Sequence, residues 1–148
     1  MTALEVTKSR IEGVSNRVYK AVNSLLPQLD PDSVPLSVEK FRRIIKSEGT
    51  HLFVAEEGNS RISGILSAVV YHIPTGTKFW IEDVVVDEAF RGKGIGKALM
   101  LHAMNYAREN GAKSVDLTSK PSRIAANKLY RDLGFELRET NVYRYKIR

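Results

Sequence analysis

The sequence predicts an α+β fold: a mixed, mostly antiparallel central sheet flanked by helices in three layers. Three observations carry that prediction. Between residues 51 and 87, three β-rich runs are separated by short turns only, which makes them an antiparallel meander. From Phe79 to Gly111, a strand of buried type runs through a tight basic loop into a long helix. Beyond that helix Ser114 to Thr118 reads as a short strand, and a strand–helix–strand crossover makes it parallel to its neighbour.

The elements follow in order. Thr2 to Lys8 alternates weakly and reads as a short strand. Ile11, Val14, Val18, Val22 and Leu25 keep helical spacing, and the helix is expected to end before Pro27. Leu29 to Pro35 reads as a loop. Ser37 suits an N-cap, with Leu36 and Phe41 placed as a hydrophobic staple, and that helix runs to about Glu48, stopped by Gly49. His51–Glu56, Ile62–Ile73 and Lys78–Asp87 are the meander strands. Ile95, Leu99, Ala103 and Ala107 recur every four positions and hold one helical face, with Gly111 at a left-handed C-cap. A further helix covers Arg123 to Leu133, with Ile124, Leu129 and Leu133 inward and Gly134 as its cap. Phe135 opens another strand, and Val142 to Ile147 alternates as the last one.

At 148 residues, with 43% hydrophobic and 27% charged, the chain fits one domain, residues 1–148, with a sizeable core. It has no cysteine, which removes disulfides, a thiolate nucleophile and cysteine metal sites. His51, His72 and His102 form no ligand spacing, and no metal is expected. No apolar run approaches a membrane span and no signal peptide is visible, so a cytoplasmic protein without a membrane partner is expected. The net charge of +6 favours an anionic ligand. Nucleic acid is not expected, because no basic run interleaved with aromatics is present.

The loop Arg91-Gly92-Lys93-Gly94-Ile95-Gly96-Lys97 carries the strongest chemistry. A helix N-terminus offers free N–H groups and the positive end of the dipole. Alternate glycines let a ligand reach the backbone, and Arg91, Lys93 and Lys97 add positive charge, so the loop suits a pyrophosphate. A Walker loop does not fit, because Arg91 stands where its first glycine belongs and Ala98 where Ser or Thr belongs. The dinucleotide fingerprint does not fit either, because Lys97 replaces its third glycine. What fits is R-x-x-G-x-G: Arg91, Gly94, Gly96.

With the valine strand before it and the helix after it, this stretch resembles the GNAT superfamily of acyl-CoA N-acyltransferases. A second stretch, Ala126 to Phe135, resembles that family's closing motif A-x-x-L-Y-x-x-x-G-F. Together the two cover roughly the C-terminal half of the chain. The string IEDVVVDEAFRGKGIGKAL is also similar to the glucosamine-phosphate acetyltransferase branch. The resemblance implies acetyl-CoA as co-substrate, its pyrophosphate on Arg91, Gly92, Lys93, Gly94, Ile95, Gly96 and Lys97. It implies a pantetheine arm pairing like a strand with Val84, Val85 and Val86, and Tyr130 as the group that protonates or hydrogen-bonds the departing thiolate. Many members carry Asn seven residues before that tyrosine. Here the position is Arg123, and either Arg123 or Asn127 is left to meet the coenzyme.

The chemistry expected is direct attack of a primary amine on the thioester. A base must take the amine proton. Glu82 and Asp83 are candidates in an otherwise apolar strand; alternation allows one of them to face the acceptor, and Glu82 is favoured. A backbone N–H near Val84 or Val85 would stabilise the thioester oxygen. The acceptor, a small molecule or a peptide or protein amine, is not named by the sequence. Lys40, Arg42, Arg43 and Lys46 on the second helix fit an anionic acceptor or a solvated face. The alternative to an enzyme is a non-catalytic acyl-CoA-binding sensor or partner module of the same fold. The resemblance also allows a homodimer.

Overall fold

The structure, a computed structural model, describes residues 4–8, 15–58 and 61–148. Its elements are β1 (Glu5–Lys8), α1 (Asn16–Leu29), α2 (Val38–Lys46), β2 (Thr50–Glu57), β3 (Arg61–Ile73), β4 (Gly76–Val86), α3 (Ile95–Glu109), β5 (Val115–Leu117) and α4 (Ile124–Asp132). A single 3₁₀ turn, Glu88–Phe90, follows β4. Backbone contacts divide the chain into two compact units, Met1–Thr118 and Ser119–Arg148.

In the first unit the described strands form one sheet in the order β1-β2-β3-β4-β5. The first four pair antiparallel and β5 joins β4 in parallel. Both the meander and the parallel crossover expected from the sequence are therefore present. The reason is local: β3 and β4 are joined by a tight turn, whereas α3 must carry the chain back before β5 can start.

Each face of this sheet is covered. On one face Val18, Val22 and Leu25 of α1 and Phe41 of α2 pack with Leu52, Val54, Ile62, Ile65 and Val85. Ser15 and Ser37 cap the two helices, accepting from the Val18 and Lys40 N–H groups. The link between the helices is fastened at Leu36. Its carbonyl accepts from the Tyr19 hydroxyl and the Asn23 amide, and its N–H donates to Asn23 Oδ1. Leu36 itself packs against the same core as Phe41, as a staple requires.

The other face carries α3. Ile95, Leu99, Ala103 and Ala107 are all buried, with Met100 beside them. Toward its end, Tyr106 meets the rings of His51 and Phe53, and His102 meets Phe53 edge-on. At its start, α3 crosses β3 at Gly64. A Cβ there would stand 3.1 Å from Ile95 Cγ2, 3.1 Å from Leu99 Cδ1 and 3.2 Å from the Val85 carbonyl oxygen. The helix ends in a Schellman motif: the Gly111 N–H donates to the Arg108 carbonyl and the Ala112 N–H to Ala107, with Gly111 at φ 75°.

Several boundaries move. The helix α1 passes through Pro27 and ends at Leu29, where the Asp30 N–H closes on the Leu26 carbonyl. The proline falls in the last turn and forfeits one bond, to the Asn23 carbonyl, which is too little to stop the helix. The other helix, α2, stops at Lys46, two residues before the expected end. Ile11 and Val14, expected on α1, lie outside the described residues, as does the start of the first strand.

In the second unit, α4 spans Ile124–Asp132 and leaves no residue fully buried. Ile124, expected to face inward, is 76% exposed in the first turn of α4. The Gly134 cap is present at φ 91°. The two strands expected from Phe135 and from Val142 to Ile147 are not formed: residues 135–148 carry no strand. Alternation there is real, but a strand exists only when a second strand satisfies its N–H and C=O groups, and this segment has none in the sheet.

Gly64 generates a stability prediction. Gly64→Val should destabilise the protein by about 1–3 kcal/mol, since the added carbons meet a backbone oxygen and two core side chains at once. Denaturant unfolding measures this; an unchanged midpoint would show that α3 can lift from the sheet freely.

Candidate functional site

The site in the first unit begins with a register change in β4. Leu66 pairs with Val84 and Ala68 with Ile81, so Ser67 alone opposes both Glu82 and Asp83. This is a β-bulge, one extra residue on β4. Its effect shows in side-chain parity. Phe79 packs toward Tyr106 of α3. Val86 pairs with Gly64, which also lies under α3. Phe79 and Val86 are seven positions apart, an odd offset that places them on opposite faces of a regular strand; the bulge returns them to one. Alternation therefore does not choose between Glu82 and Asp83, as the sequence reading assumed. Both oppose Ser67 and both are exposed.

The bulge coincides with the end of the β5 ladder. That strand pairs at Phe79, Trp80 and Ile81 and no further. Past Ile81, β4 therefore has a free backbone edge on the β5 side. The Asp87 N–H donates to the Ser63 carbonyl of β3 at 2.8 Å. In an extended run peptide groups alternate in direction, so Val85 also turns to β3, while Val84 and Val86 turn their N–H and C=O to the free edge. The Arg91 Nε donates to the Val86 carbonyl at 3.2 Å, on that edge. Val85 is itself buried in the core.

The loop beyond is held by contacts that no short motif displays. Asp87 caps the 3₁₀ turn through the Ala89 N–H. The Gln28 side chain of α1 accepts from the Glu88 N–H at 2.8 Å. Arg61 lies 3.8 Å from Asp87. Arg61 and Lys93 each stand over the Phe90 ring, at 4.5 and 4.8 Å from its centroid. Sequence reading missed Gln28, Arg61 and Phe90. Arg61 and Gln28 reach the loop from distant elements, and a single Phe after Asp-Glu-Ala gives no signal.

Gly92 and Gly94 both take φ 79°, the left-handed region that other residues resist. Gly94 is the N-cap of α3 and provides no capping side chain, and the first turn holds no acidic residue. The first intrahelical bond is Ala98 N–H to the Gly94 carbonyl. The N–H groups of Ile95, Gly96 and Lys97 therefore have no intrahelical acceptor. Arg91, Lys93 and Lys97 are exposed around them. Ile95 contributes only this N–H, since its side chain is 2% exposed in the core. The arrangement fits a phosphate group: uncapped donors, a positive dipole end and cations, with no side chain over Gly92 or Gly94.

In the second unit, Tyr130 and Phe135 are fixed by the end of α4. The Phe135 N–H donates to the Tyr130 carbonyl and the Gly134 N–H to Arg131, the Schellman pattern again. The rings of Tyr130 and Phe135 are 6.0 Å apart, the apolar contact that accompanies this motif. Burial raises the Tyr130 phenol above the usual tyrosine range, and the neighbouring Arg123 charge partly opposes it. The Asn127 amide nitrogen donates to the carbonyls of Lys120 and Arg123 at 2.9 and 2.8 Å. That leaves its oxygen as the group it can offer a ligand, and an acceptor does not bind phosphate.

Among the described residues no helix is long and apolar enough to cross a membrane. Residues 16–135 match the model of the acetyltransferase (GNAT) family. An uncharacterized N-acetyltransferase of Bacillus subtilis, YhdJ, is 30% identical over 132 residues, covering 87% of this chain and 89% of that protein. A glucosamine 6-phosphate N-acetyltransferase of Trypanosoma brucei brucei is 35% identical over 98 residues, covering 53% of this chain and 65% of that one. Among solved structures, the aminoglycoside N-acetyltransferase AAC(6')-Iy in complex with CoA superposes with a TM-score of 0.80. That comparison covers 99% of this chain and 96% of that one at 17% identity, a likeness of fold. With an uncapped helix behind a bulged strand and a family match over most of its length, the chain belongs to the GNAT acetyltransferase family.

Proposed function

We propose that the protein transfers the acetyl group of acetyl-CoA to a primary amine, through one domain formed by residues 1–148. The single observation that carries this reading is the coincidence of the free β4 edge with the uncapped start of α3. A backbone edge suits an amide-rich arm, and bare N–H groups suit its pyrophosphate. Arg91, Gly92, Lys93, Gly94, Ile95, Gly96 and Lys97 would hold the phosphates, and Val84 and Val86 the arm. Asn127 would accept a hydrogen bond from a pantetheine amide.

The amine nitrogen attacks the thioester carbon. A C–N bond forms, the C–S bond breaks and the thiolate takes a proton from the Tyr130 phenol. The amine proton passes to Glu82, to Asp83 or to water held by them. Of the valines, Val84 is the better oxyanion donor, since its N–H turns to the free edge while that of Val85 turns to β3. The acceptor is a small amine or a peptide or protein amine. Lys40, Arg42, Arg43 and Lys46 are all exposed on α2, with Arg43 paired to Glu39 at 2.8 Å. This favours including phosphorylated acceptors among those tried. One relative is named for such a sugar phosphate.

Thiol release from acetyl-CoA over a panel of amines, sugar phosphates and short peptides tests the reaction. The cysteine-free chain adds no background. Release above the hydrolytic blank is expected for one acceptor class; silence across the panel together with no acetyl-CoA binding by calorimetry overturns the reading.

Gly94→Val should weaken acetyl-CoA binding at least tenfold, about 1.4 kcal/mol. Gly111→Val is the control, since Gly111 has the same left-handed strain at the far end of α3. Equal affinity in both variants would remove the pyrophosphate from this loop.

Tyr130→Phe keeps the ring against Phe135 and removes the proton. Turnover should fall on the order of 10²-fold, with acetyl-CoA affinity unchanged. The raised phenol also has a linkage consequence. In the unfolded chain the tyrosine ionises first, so its stabilising contribution is complete below about pH 10 and is lost as pH rises through the folded value. Alkaline unfolding curves of Tyr130→Phe should therefore fall less steeply above about pH 10 than those of the parent.

A further inference from the structure

We propose, on the acetyl-transfer reading above, that Val69, Tyr71 and Trp80 floor the acceptor subsite, and that it takes a primary amine carried on a short chain from a flat, apolar ring. The side of the sheet follows from register. Phe79 packs toward Tyr106 of α3, so its neighbour Trp80 turns to the opposite face. Trp80 pairs with Val69, and Tyr71 lies two positions further along β3. Ser67, two positions before Val69, pairs with Leu52, which packs under α1 and α2. Trp80, Val69, Tyr71 and Ser67 therefore share the face on which those helices lie. The sheet side chains in the helices' core are Leu52, Val54, Ile62, Ile65 and Val85. Val69, Tyr71 and Trp80 stand outside it: Val69 and Trp80 are half-buried and Tyr71 is 41% exposed.

The occupant follows from chemistry. Trp80 and Tyr71 are diagonal neighbours across β3 and β4, a spacing at which aromatic side chains reach each other. With Val69 between the strands they give an aromatic and aliphatic floor, which suits a flat apolar ring. An amino sugar suits it less, since its hydroxyls would meet only one phenol and one indole N–H over these three side chains. Charge fixes the orientation. Glu82 follows Trp80 by two positions, about 6.6 Å along the strand. Glu82 and Asp83 both oppose Ser67, and both are exposed. Asp116 of β5, level with Trp80, adds a further carboxylate. Lys78 stands on the other side of Trp80, opposite Tyr71. A protonated amine is therefore drawn toward the bulge and away from the β3–β4 turn, with its ring over Trp80. That end of the face adjoins the free β4 edge, where the thioester is placed. The floor is held in position. The Val70 N–H donates to the Gly49 carbonyl at 2.8 Å, and on the reverse face His72 Nδ1 lies 3.0 Å from Thr77 Oγ1.

Trp80 is the single tryptophan of the chain, so its emission reports on this subsite whether or not an acetyl group is transferred. The full-length protein is titrated with phenethylamine, with n-butylamine, with glucosamine, and with hydrocinnamate, an anion of similar shape. Phenethylamine should change the emission saturably, with an apparent Kd roughly tenfold or more below those of the other three. Tyr71→Ala keeps the tryptophan and should weaken phenethylamine more than it weakens n-butylamine. Glu82→Gln combined with Asp83→Asn should weaken phenethylamine roughly tenfold and bring hydrocinnamate closer to it. A phenethylamine titration without a saturable change overturns the proposal. So does equal affinity for n-butylamine or hydrocinnamate, and so does tighter binding of glucosamine. The transfer reading fails separately. A saturable response with no thiol release from acetyl-CoA would keep the subsite and remove the reaction. Thiol release to amines that leave Trp80 emission unmoved would keep the reaction and remove the subsite.

Discussion

The extra residue in β4 opposite Ser67 is the constraint on which the rest of the site depends. Before it, Phe79 and Ile81 are bound on both sides, by β3 and by β5. After it, Val84 and Val86 keep β3 and lose β5. A bulge bends the strand that contains it and increases its twist. Here that bend separates two parallel neighbours and leaves the outer edge of β4 past Ile81 without a strand beside it, the Val86 carbonyl being met by Arg91 Nε. Unpaired peptide groups in a sheet interior are costly unless water or a ligand meets them. The same irregularity places Glu82 and Asp83 both opposite Ser67, outside the strict alternation of a regular strand. A strand edge without a strand beside it and two successive carboxylates opposite Ser67 thus follow from one added residue.

The glycine-rich loop before α3 depends on that strand through the helix itself. The helix must start close to the end of β4, and Gly64 makes that possible by admitting Ile95 and Leu99 against β3. Once Ile95 is buried, the N–H groups of the first turn have a fixed direction. Gly92 and Gly94 then supply the left-handed steps that a loop this short needs. The cations around it are not loose ornaments. Arg91 is tied to the Val86 carbonyl, and Lys93 lies on Phe90. Held in this way, positive charge is oriented before a ligand arrives, which lowers the ordering entropy lost on binding.

Much of this was legible in the sequence because it is local. Helical spacing placed Ile95, Leu99, Ala103 and Ala107 on one face, and all four are buried. Glycine chemistry located the cap of α3 at Gly111. The bulge was not legible from the residues, because Glu82-Asp83 reads the same in a regular strand and in an irregular one; register depends on Ser67, fifteen residues away and on another strand. Gln28 and Arg61 were invisible for the same reason. Pro27 misled because a breaker in the last turn breaks very little. The segment after Phe135 misled in the opposite way. Its alternation states what the segment could pair as, while pairing itself is decided by a second strand.

The closing motif shows why structural and chemical readings of one residue need not compete. In A-x-x-L-Y-x-x-x-G-F the tyrosine, glycine and phenylalanine sit at the C3, C′ and C″ positions of α4, the spacing of a Schellman cap. The Tyr130–Phe135 ring contact is the apolar partner of that cap. The cap therefore explains the spacing without any catalysis. It does not explain a phenol, since phenylalanine would serve the ring contact equally well. A half-buried hydroxyl whose proton is held more tightly by burial is a feature that the cap does not require. The cap fixes where the ring stands, and the hydroxyl is what remains to be accounted for by chemistry.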